Sequence, residues 1–506
     1  MSHLFRPALS AALFCSFGFC SFQTQAASCA SLTSLQLPDT TITLAQSVAA
    51  GGYASEVPAN QAAPYTELPA FCRVAATLAP TADSDIAIEV WLPASNWNGK
   101  FQGVGNGAWT GSIATSAMAE ALARGYAVAS TNTGHNGGSA SFALGHPEKL
   151  IDFGYRAIHE MTVKGKAITS AFYDAAALRQ SYFVGCSAGG RQGMKAAQMY
   201  PDDYDGIVAG SPGLNWSGRA LQTVWVGQST AEAPLPREKF AVLNAAALAA
   251  CDGIDGLDDG IIDNPRQCTF DPAVLQCTTE ETDTCLTSAQ VSTARHIYSN
   301  VTNSRTGATQ VAGMSPGSET GWSTMAGAQP FPPGVDLFRY VVFADPNWDY
   351  RSLNWDSDMT LTLQASKDLD AMNANMQPYF DQGGKILSYH GWSDPQISPG
   401  STVDYYEEVL ATMGPDTVMD AYRLYMVPGM AHCGGGTGTS QFDMLTALEQ
   451  WVEAGKAPDS IAASRVVNET VDRTRPLCPW PQTARYGGSG STDALENFSC
   501  QYPPNL

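Results

Sequence analysis

Apolar and polar positions alternate with period two from Ile86 to Leu92, the mark of a strand with one face against a core. A second short strand, Lys100 to Val104, runs into a glycine-rich turn, Gly105-Asn106-Gly107-Ala108. Tyr126 to Ser130 is a compact apolar run that fits a buried strand. From Ala157 to Leu178 the apolar residues recur every three or four positions, which predicts an amphipathic helix. Ser181 to Gly185 is another apolar strand, Gly189 to Tyr200 a helix stopped by Pro201, and Ile207 to Ala209 the next strand. Strands alternating with helices predict an α/β fold with a mostly parallel, doubly wound sheet covered on both faces.

The rhythm breaks at about Pro212. As far as Leu369 the chain is rich in Gly, Pro, Ser, Thr and Trp and shows little strand alternation. It resumes with strands at Lys385 to Tyr389 and Ala421 to Val427 and a helix from Phe442 to Gly455. This predicts a catalytic domain in two parts, 28–211 and 370–506, interrupted by an inserted lid, 212–369. The sheet needs the later strands, which argues against an independent domain, and an insertion there would lie over the carboxyl edge of the sheet, where ligands bind. No internal repeat is visible.

Composition narrows the class. Of 506 residues, 44% are hydrophobic and 15% charged, and 48 acidic residues against 27 basic ones give a formal charge of −21. That field would repel nucleic acid and anionic membranes alike, and it suits a neutral or weakly charged small molecule. Residues 1–27 read as a secretory signal: Arg6, an apolar run from Ala8 to Phe22, and small residues around Ala26-Ala27. The run is too short to span a bilayer, and no other segment is long and apolar enough to do so. An exported protein, periplasmic or secreted, without a membrane anchor is expected; the oligomeric state is not legible.

Ten of the twelve cysteines lie beyond that leader, an even number that implies disulfides in an oxidising compartment. Local spacing suggests Cys251–Cys268, Cys277–Cys285 and Cys478–Cys500.

Gly185-Cys186-Ser187-Ala188-Gly189 is a G-x-S-x-G motif between a strand and a helix, the context of a nucleophile elbow. It nominates Ser187 as nucleophile. The Ala188 N–H would form one half of an oxyanion hole, and the N–H of Gly107 or Ala108 the other. An acid and then a histidine should follow in the chain, which leaves His296, His390 and His432 eligible. His432 lies in a loop between a strand and a helix, where a general base must be presented; Asp394 is read as the acid, and His390 as a pocket or structural histidine. If Ser187 and His432 meet, their neighbours Cys186 and Cys433 are placed to form a disulfide.

The blocks Gly-Cys186-Ser187-Ala-Gly-Gly, Tyr-His390-Gly-Trp-Ser-Asp394-Pro and Val-Pro-Gly-Met-Ala-His432-Cys433, with the tail Arg475-Pro-Leu-Cys478-Pro-Trp-Pro481, resemble the tannase and feruloyl esterase family across nearly the whole mature chain. The resemblance implies an α/β-hydrolase core with a lid, the Ser187–His432–Asp394 triad, the Cys186–Cys433 bridge, and Cys29–Cys72 as a fifth disulfide. It also implies calcium in the lid, at Cys251-Asp-Gly-Ile-Asp-Gly-Leu-Asp-Asp-Gly-Ile-Ile-Asp263, where a loop of hard carboxylates suits Ca²⁺ better than zinc. The ligands assigned are the side chains of Asp252, Asp255 and Asp259 and the backbone oxygens of Leu257 and Ile261, with Asp258 beside them and no organic cofactor.

Members of that family cleave esters of aromatic acids, and one branch cleaves mono(2-hydroxyethyl) terephthalate. That branch is thought to use a lid arginine for a free carboxylate. The stretch from Gln329 to Val335 has no arginine, and Ile397 stands where an aromatic ring would close the pocket, so phenolic esters are the expected substrates. Trp322, Trp348 and Trp355 are available in the lid, but none is assigned to substrate. A calcium-stabilised binding protein without activity, and a peptidase, are the competing classes; an intact serine, acid, base and oxyanion turn disfavour the first and the resemblance the second.

Overall fold

The structure is a computed structural model that describes residue 1 and residues 28–174 and 178–503. The expected leader therefore falls outside the described residues, apart from Met1. Nine strands form one sheet. The chain enters it through three antiparallel strands, β1 (Thr40–Val48), β2 (Phe71–Leu78) and β3 (Ile86–Pro93). It then lays down β4 (Phe101–Val104), α1 (Thr115–Ala123), β5 (Ala127–Thr131), α2 (Ala157–Tyr173), β6 (Ser181–Cys186), α3 (Ala188–Met199) and β7 (Gly206–Gly210). After the insertion come β8 (Lys385–Gly391), α7 (Pro399–Met413), β9 (Tyr422–Val427) and α8 (Met444–Ala454), with α4 (Trp216–Glu232), α5 (Arg237–Cys251) and α6 (Ser288–Tyr298) inside the insertion.

The spatial order is β1-β2-β3-β5-β4-β6-β7-β8-β9, with β5 antiparallel to β3 and everything from β5 to β9 parallel. The chain leaves β4 on one side for β5 and returns on the other as β6, so the strand order reverses there. At such a switch point, loops at the carboxyl ends diverge and open a crevice.

Both faces of the parallel strands are covered, so successive residues go to opposite cores. Phe183, Ile207, Ile386 and Leu424 pack on one side with α2, α3 and α7, through residues such as Met161, Met194 and Tyr405. Tyr182, Val208, Leu387 and Tyr425 pack on the other with α1 and α8, through Met118, Leu448 and Trp451. This is the architecture expected from the alternation of strands and helices. Helix boundaries moved: α2 ends at Tyr173, where Asp174 turns left-handed (φ 48°), α3 runs Ala188–Met199 and α8 is confined to Met444–Ala454.

The segment between β7 and β8 gives no strand to the sheet. It builds a core of its own from Val226, Phe240, Leu243, Val291, Ile297 and Trp322. It also shares a second cluster with the sheet-bearing part, where Trp109, after β4, meets Trp216 and Phe153, and Trp348 joins through Phe338.

Arg191 on α3 ties these parts together. Its side chain is fully buried; Nη1 donates to Gly154 O and Leu369 O at 2.9 Å, and Nη2 to Phe153 O at 3.3 Å. It lies over the Phe153 and Trp216 rings, and burial pushes its pKa down to about 10 against the pull of Asp370. One cation thus fixes the helix behind Ser187 to the start of α2 and to the chain returning from the lid. Arg191→Met should cost about 3 kcal/mol of stability, because three buried carbonyls lose a charged donor. Denaturant unfolding checks this, and Arg191→Lys, which keeps the charge but not the fork, should also fall short of the parent.

Candidate active site

Ser187 sits at the turn between β6 and α3 with φ 64° and ψ −122°, a conformation that L residues rarely adopt. The turn is tight enough to require glycine at two places. A Cβ at Gly185 would lie 2.5 Å from the Gly189 carbonyl carbon, and a Cβ at Gly105 would lie 2.5 Å from Gly189 Cα. The first pins the elbow; the second lets the turn after β4 press against it.

Ala188 opens α3, so its N–H has no acceptor within the helix. The neighbouring turn, Gly105 to Ala108, is locked to that helix. Asn106 N donates to Gln192 Oε1 at 3.0 Å, Gln192 Nε2 returns a bond to Asn106 Oδ1 at 3.2 Å, and Asn106 Nδ2 donates to Ser112 O and Thr131 O at 2.9 Å. Ala108 takes a positive φ of 42°, and the space a Cβ at Gly107 would enter is open. The inserted segment reaches the residue after that turn, where Trp109 Nε1 donates to Pro333 O at 2.8 Å.

The candidate acid and base stand at the ends of adjacent strands. Asp394 follows β8 and His432 follows β9, and the two turns are stitched by Trp392 N to Val427 O (2.9 Å) and Ser393 N to Met430 O (3.0 Å). His432 Nδ1 is 2.6 Å from Asp394 Oδ2. Asp394 is fully buried while the His432 side chain keeps 14% of its exposure. Burial alone would raise the Asp394 carboxyl; hydrogen bonds from His390 and His432 outweigh it and hold the group below the usual carboxylate range. Cys186 and Cys433 are bonded (S–S 2.04 Å, Cα–Cα 6.0 Å), which brings the residue before Ser187 to the residue after His432. The other disulfides are Cys29–Cys72, Cys251–Cys268, Cys277–Cys285 and Cys478–Cys500.

The aspartate-rich loop lies apart from Ser187. Asp255, Asp259 and Asp263 line one cavity with Leu257 and Ile261, against Arg475 and Trp480 of the C-terminal segment. Asp252 does not line it; its carboxylate accepts the N–H groups of Asp259, Gly260 and Ile261 at 2.8–3.3 Å. Arg475 Nη2 meets Asp259 Oδ2 at 2.7 Å. Desolvation, then the charge of Asp255, push the Asp263 carboxyl up to about 7. The donors are all oxygen, which fits a hard cation in kind, although among the described residues no three His, Cys, Asp or Glu side chains converge as metal ligands do. Of the lid tryptophans, Trp322 and Trp348 are buried in lid clusters and Trp355 Nε1 donates to Gln228 Oε1 at 2.9 Å.

The sequence reading gave His390 only a pocket or structural role and did not single out Arg219. His390 touches the acid itself, with Nε2 3.1 Å from Asp394 Oδ2. Its spacing of four residues from Asp394 was the available signal. Arg219 on α4 is nearly fully buried between the rings of Trp216 and Phe331, and its Nε donates to Gln396 O in the acid loop at 3.4 Å. Desolvation lowers its pKa to about 10, opposed by Asp394. No sequence motif marks it.

A family model described as "Tannase and feruloyl esterase" matches residues 72–501. An uncharacterized esterase of Xanthomonas campestris pv. campestris is 37% identical, over 94% of this chain and 92% of that protein. A probable feruloyl esterase B-1 of Aspergillus oryzae is 37% identical over 86% of this chain and 85% of its own. The crystal structure of feruloyl esterase B from Aspergillus oryzae superposes with a TM-score of 0.87 at 32% identity, covering 94% of this chain and 99% of that one. Tannin acyl hydrolase from Aspergillus niger, at 21% identity, shares the fold with a TM-score of 0.78 over 93% of each chain. The fold is that of the α/β-hydrolases, and the chain belongs to the tannase and feruloyl esterase family of carboxylic-ester hydrolases.

Proposed function

We propose that this protein hydrolyses esters of aromatic, phenolic acids through an acyl-enzyme formed on Ser187. His432 takes the hydroxyl proton as Ser187 attacks the ester carbonyl, and Asp394 stabilises the imidazolium. The N–H groups of Ala188 and of Ala108 or Gly107 bind the oxyanion. The leaving alcohol receives its proton from His432, and water, activated by the same base, releases the acid. The observation that carries this reading is the 2.6 Å contact of His432 Nδ1 with a buried Asp394, in a loop bonded through Cys433 to the residue before Ser187.

The phenolic preference draws on the relatives named as feruloyl esterases and on Ile397 beside the elbow, whose side chain stands 3.5 Å from the Cβ position of Gly213. A second reading, a monoester carrying a free carboxylate as in the terephthalate branch, draws on Arg219, a lid cation outside the stretch where an arginine was sought. The five disulfides favour export to an oxidising compartment, and among the described residues no helix is long and apolar enough to cross a membrane. For the aspartate loop we propose a structural Ca²⁺ held by Asp255, Asp259 and the carbonyls of Leu257 and Ile261, with Asp252, assigned as a ligand from the sequence, bracing the loop through the N–H groups of Asp259, Gly260 and Ile261; the ion would neutralise carboxylates and takes no part in the chemistry at Ser187.

Ser187→Ala should lower kcat on p-nitrophenyl acetate by about a millionfold, leaving the melting temperature near the parent's. A kinetic panel of methyl gallate, methyl ferulate, chlorogenate and the terephthalate monoester should rank a phenolic ester first by kcat/KM; the monoester in first place would favour the second reading.

Because the folded Asp394 carboxyl titrates below its unfolded value, its stabilisation is present above about pH 4 and lost as the pH falls through the folded value. Asp394→Asn should therefore lose less stability than the parent on going from pH 5 to strongly acidic solution. Parallel slopes in denaturant titrations would contradict the assignment.

Chelation with EGTA should lower the melting temperature, and added Ca²⁺ at a hundredfold excess over its Kd should restore about 3 kcal/mol. Asp259→Asn should abolish the response.

A further inference from the structure

Asp394 Oδ2 is shared between two histidines. It lies 2.6 Å from His432 Nδ1 and 3.1 Å from His390 Nε2, while Oδ1 accepts the N–H groups of Gln396 at 2.8 Å and Ile397 at 3.1 Å. A carboxylate offers about four lone-pair sites, and four donors occupy them here. His390 has no exposed surface, and its Nδ1 stands 2.8 Å from the Thr402 hydroxyl on α7.

We propose that His390 is a positioning residue for ester hydrolysis: as the Nε2–H tautomer set by Thr402, it clamps Asp394 and takes up part of the charge that would otherwise act on His432. The inference rests on the Ser187–His432–Asp394 reading.

The tautomer follows from the neighbours. With the proton on Nδ1 alone, the Nε2 lone pair would face a carboxylate lone pair at 3.1 Å, which is repulsive. A doubly protonated ring would place a charge in a fully buried site, close to the positive field that Arg219 already sets against Asp394. With Thr402 donating to Nδ1, the single ring proton points at Asp394. Every polar atom is then satisfied, as burial demands.

The consequence is electrostatic as well as geometric. Without the His390 donor, the whole carboxylate charge acts on His432 and stabilises its imidazolium. The base then stays protonated to higher pH, and the acidic limb of the rate profile moves up. The freed lone pair also lets Asp394 rotate away from the orientation that aims His432.

The test is kcat, KM and the pH profile of kcat/KM on p-nitrophenyl acetate for His390→Leu, His390→Gln and Thr402→Val, with Asp394→Asn alongside and melting curves for all. In His390→Leu, kcat should fall about tenfold or more with KM nearly unchanged, and the acidic limb should rise by about half a pH unit. His390→Gln keeps an N–H at the reach of Nε2 and should restore the limb and most of kcat. Thr402→Val should shift the limb the same way by less.

A folded His390→Leu with the parent's limb overturns the inference, as does a Gln variant no better than Leu. Should His390→Leu fail to fold, Thr402→Val decides, and a profile superimposed on the parent's overturns the inference. Asp394→Asn separates the two claims. If it abolishes activity while the His390 limb is unmoved, only the role of His390 falls; if it stays fully active, the acid assignment falls and this inference with it.

Discussion

A single covalent bond closes the separation between the candidate nucleophile and its candidate base. Cys186 and Cys433 lie 247 residues apart in sequence and 6.0 Å apart at Cα. By chain-entropy arguments, closing a loop of that length in the unfolded chain costs on the order of 5 kcal/mol, and the disulfide removes that cost from folding. It also links the two loops directly across the segment inserted between them. Each cysteine adjoins the residue it places, so the constraint acts on Ser187 and His432 with no lever arm.

The sheet supplies the remaining direction. The reversal of strand order at β4 puts the turn after β4 beside the elbow after β6, and the parallel pairing of β8 with β9 puts the acid turn beside the base turn. Gln192 and Arg191, adjacent on α3, face different tasks: one locks the oxyanion turn to the helix, the other locks that helix to the chain around it. The inserted segment reaches this region through Pro333 on Trp109 and through Arg219 on the loop that carries Asp394.

The parallel part of the sheet was legible because its strands are short apolar runs bounded by glycine and proline, and the elbow because steric demands there allow few residues. β1 and β2 were not read: β2 runs Phe-Cys-Arg-Val-Ala-Ala-Thr-Leu, whose alanines dilute the alternation, and β1 lies at the edge, where burial is partial. Ser187, Asp394 and His432 could be nominated from motif and order along the chain. The place of His390 could not, because four residues on a turn say nothing of whether the carboxylate folds back onto the ring. Arg219 was hidden for a related reason: its role depends on a helix of the insertion crossing over a loop some 180 residues later.

The central claim is that a reactive serine at the elbow is tethered to the loop carrying its base. The direct measurement is mass-spectrometric mapping of the protein after reaction with a fluorophosphonate, digested without reduction. The account predicts one adduct, on Ser187, in a peptide linked through Cys186 to the peptide containing His432 and Cys433. An adduct on another residue, or Cys186 found with a different partner, would contradict it.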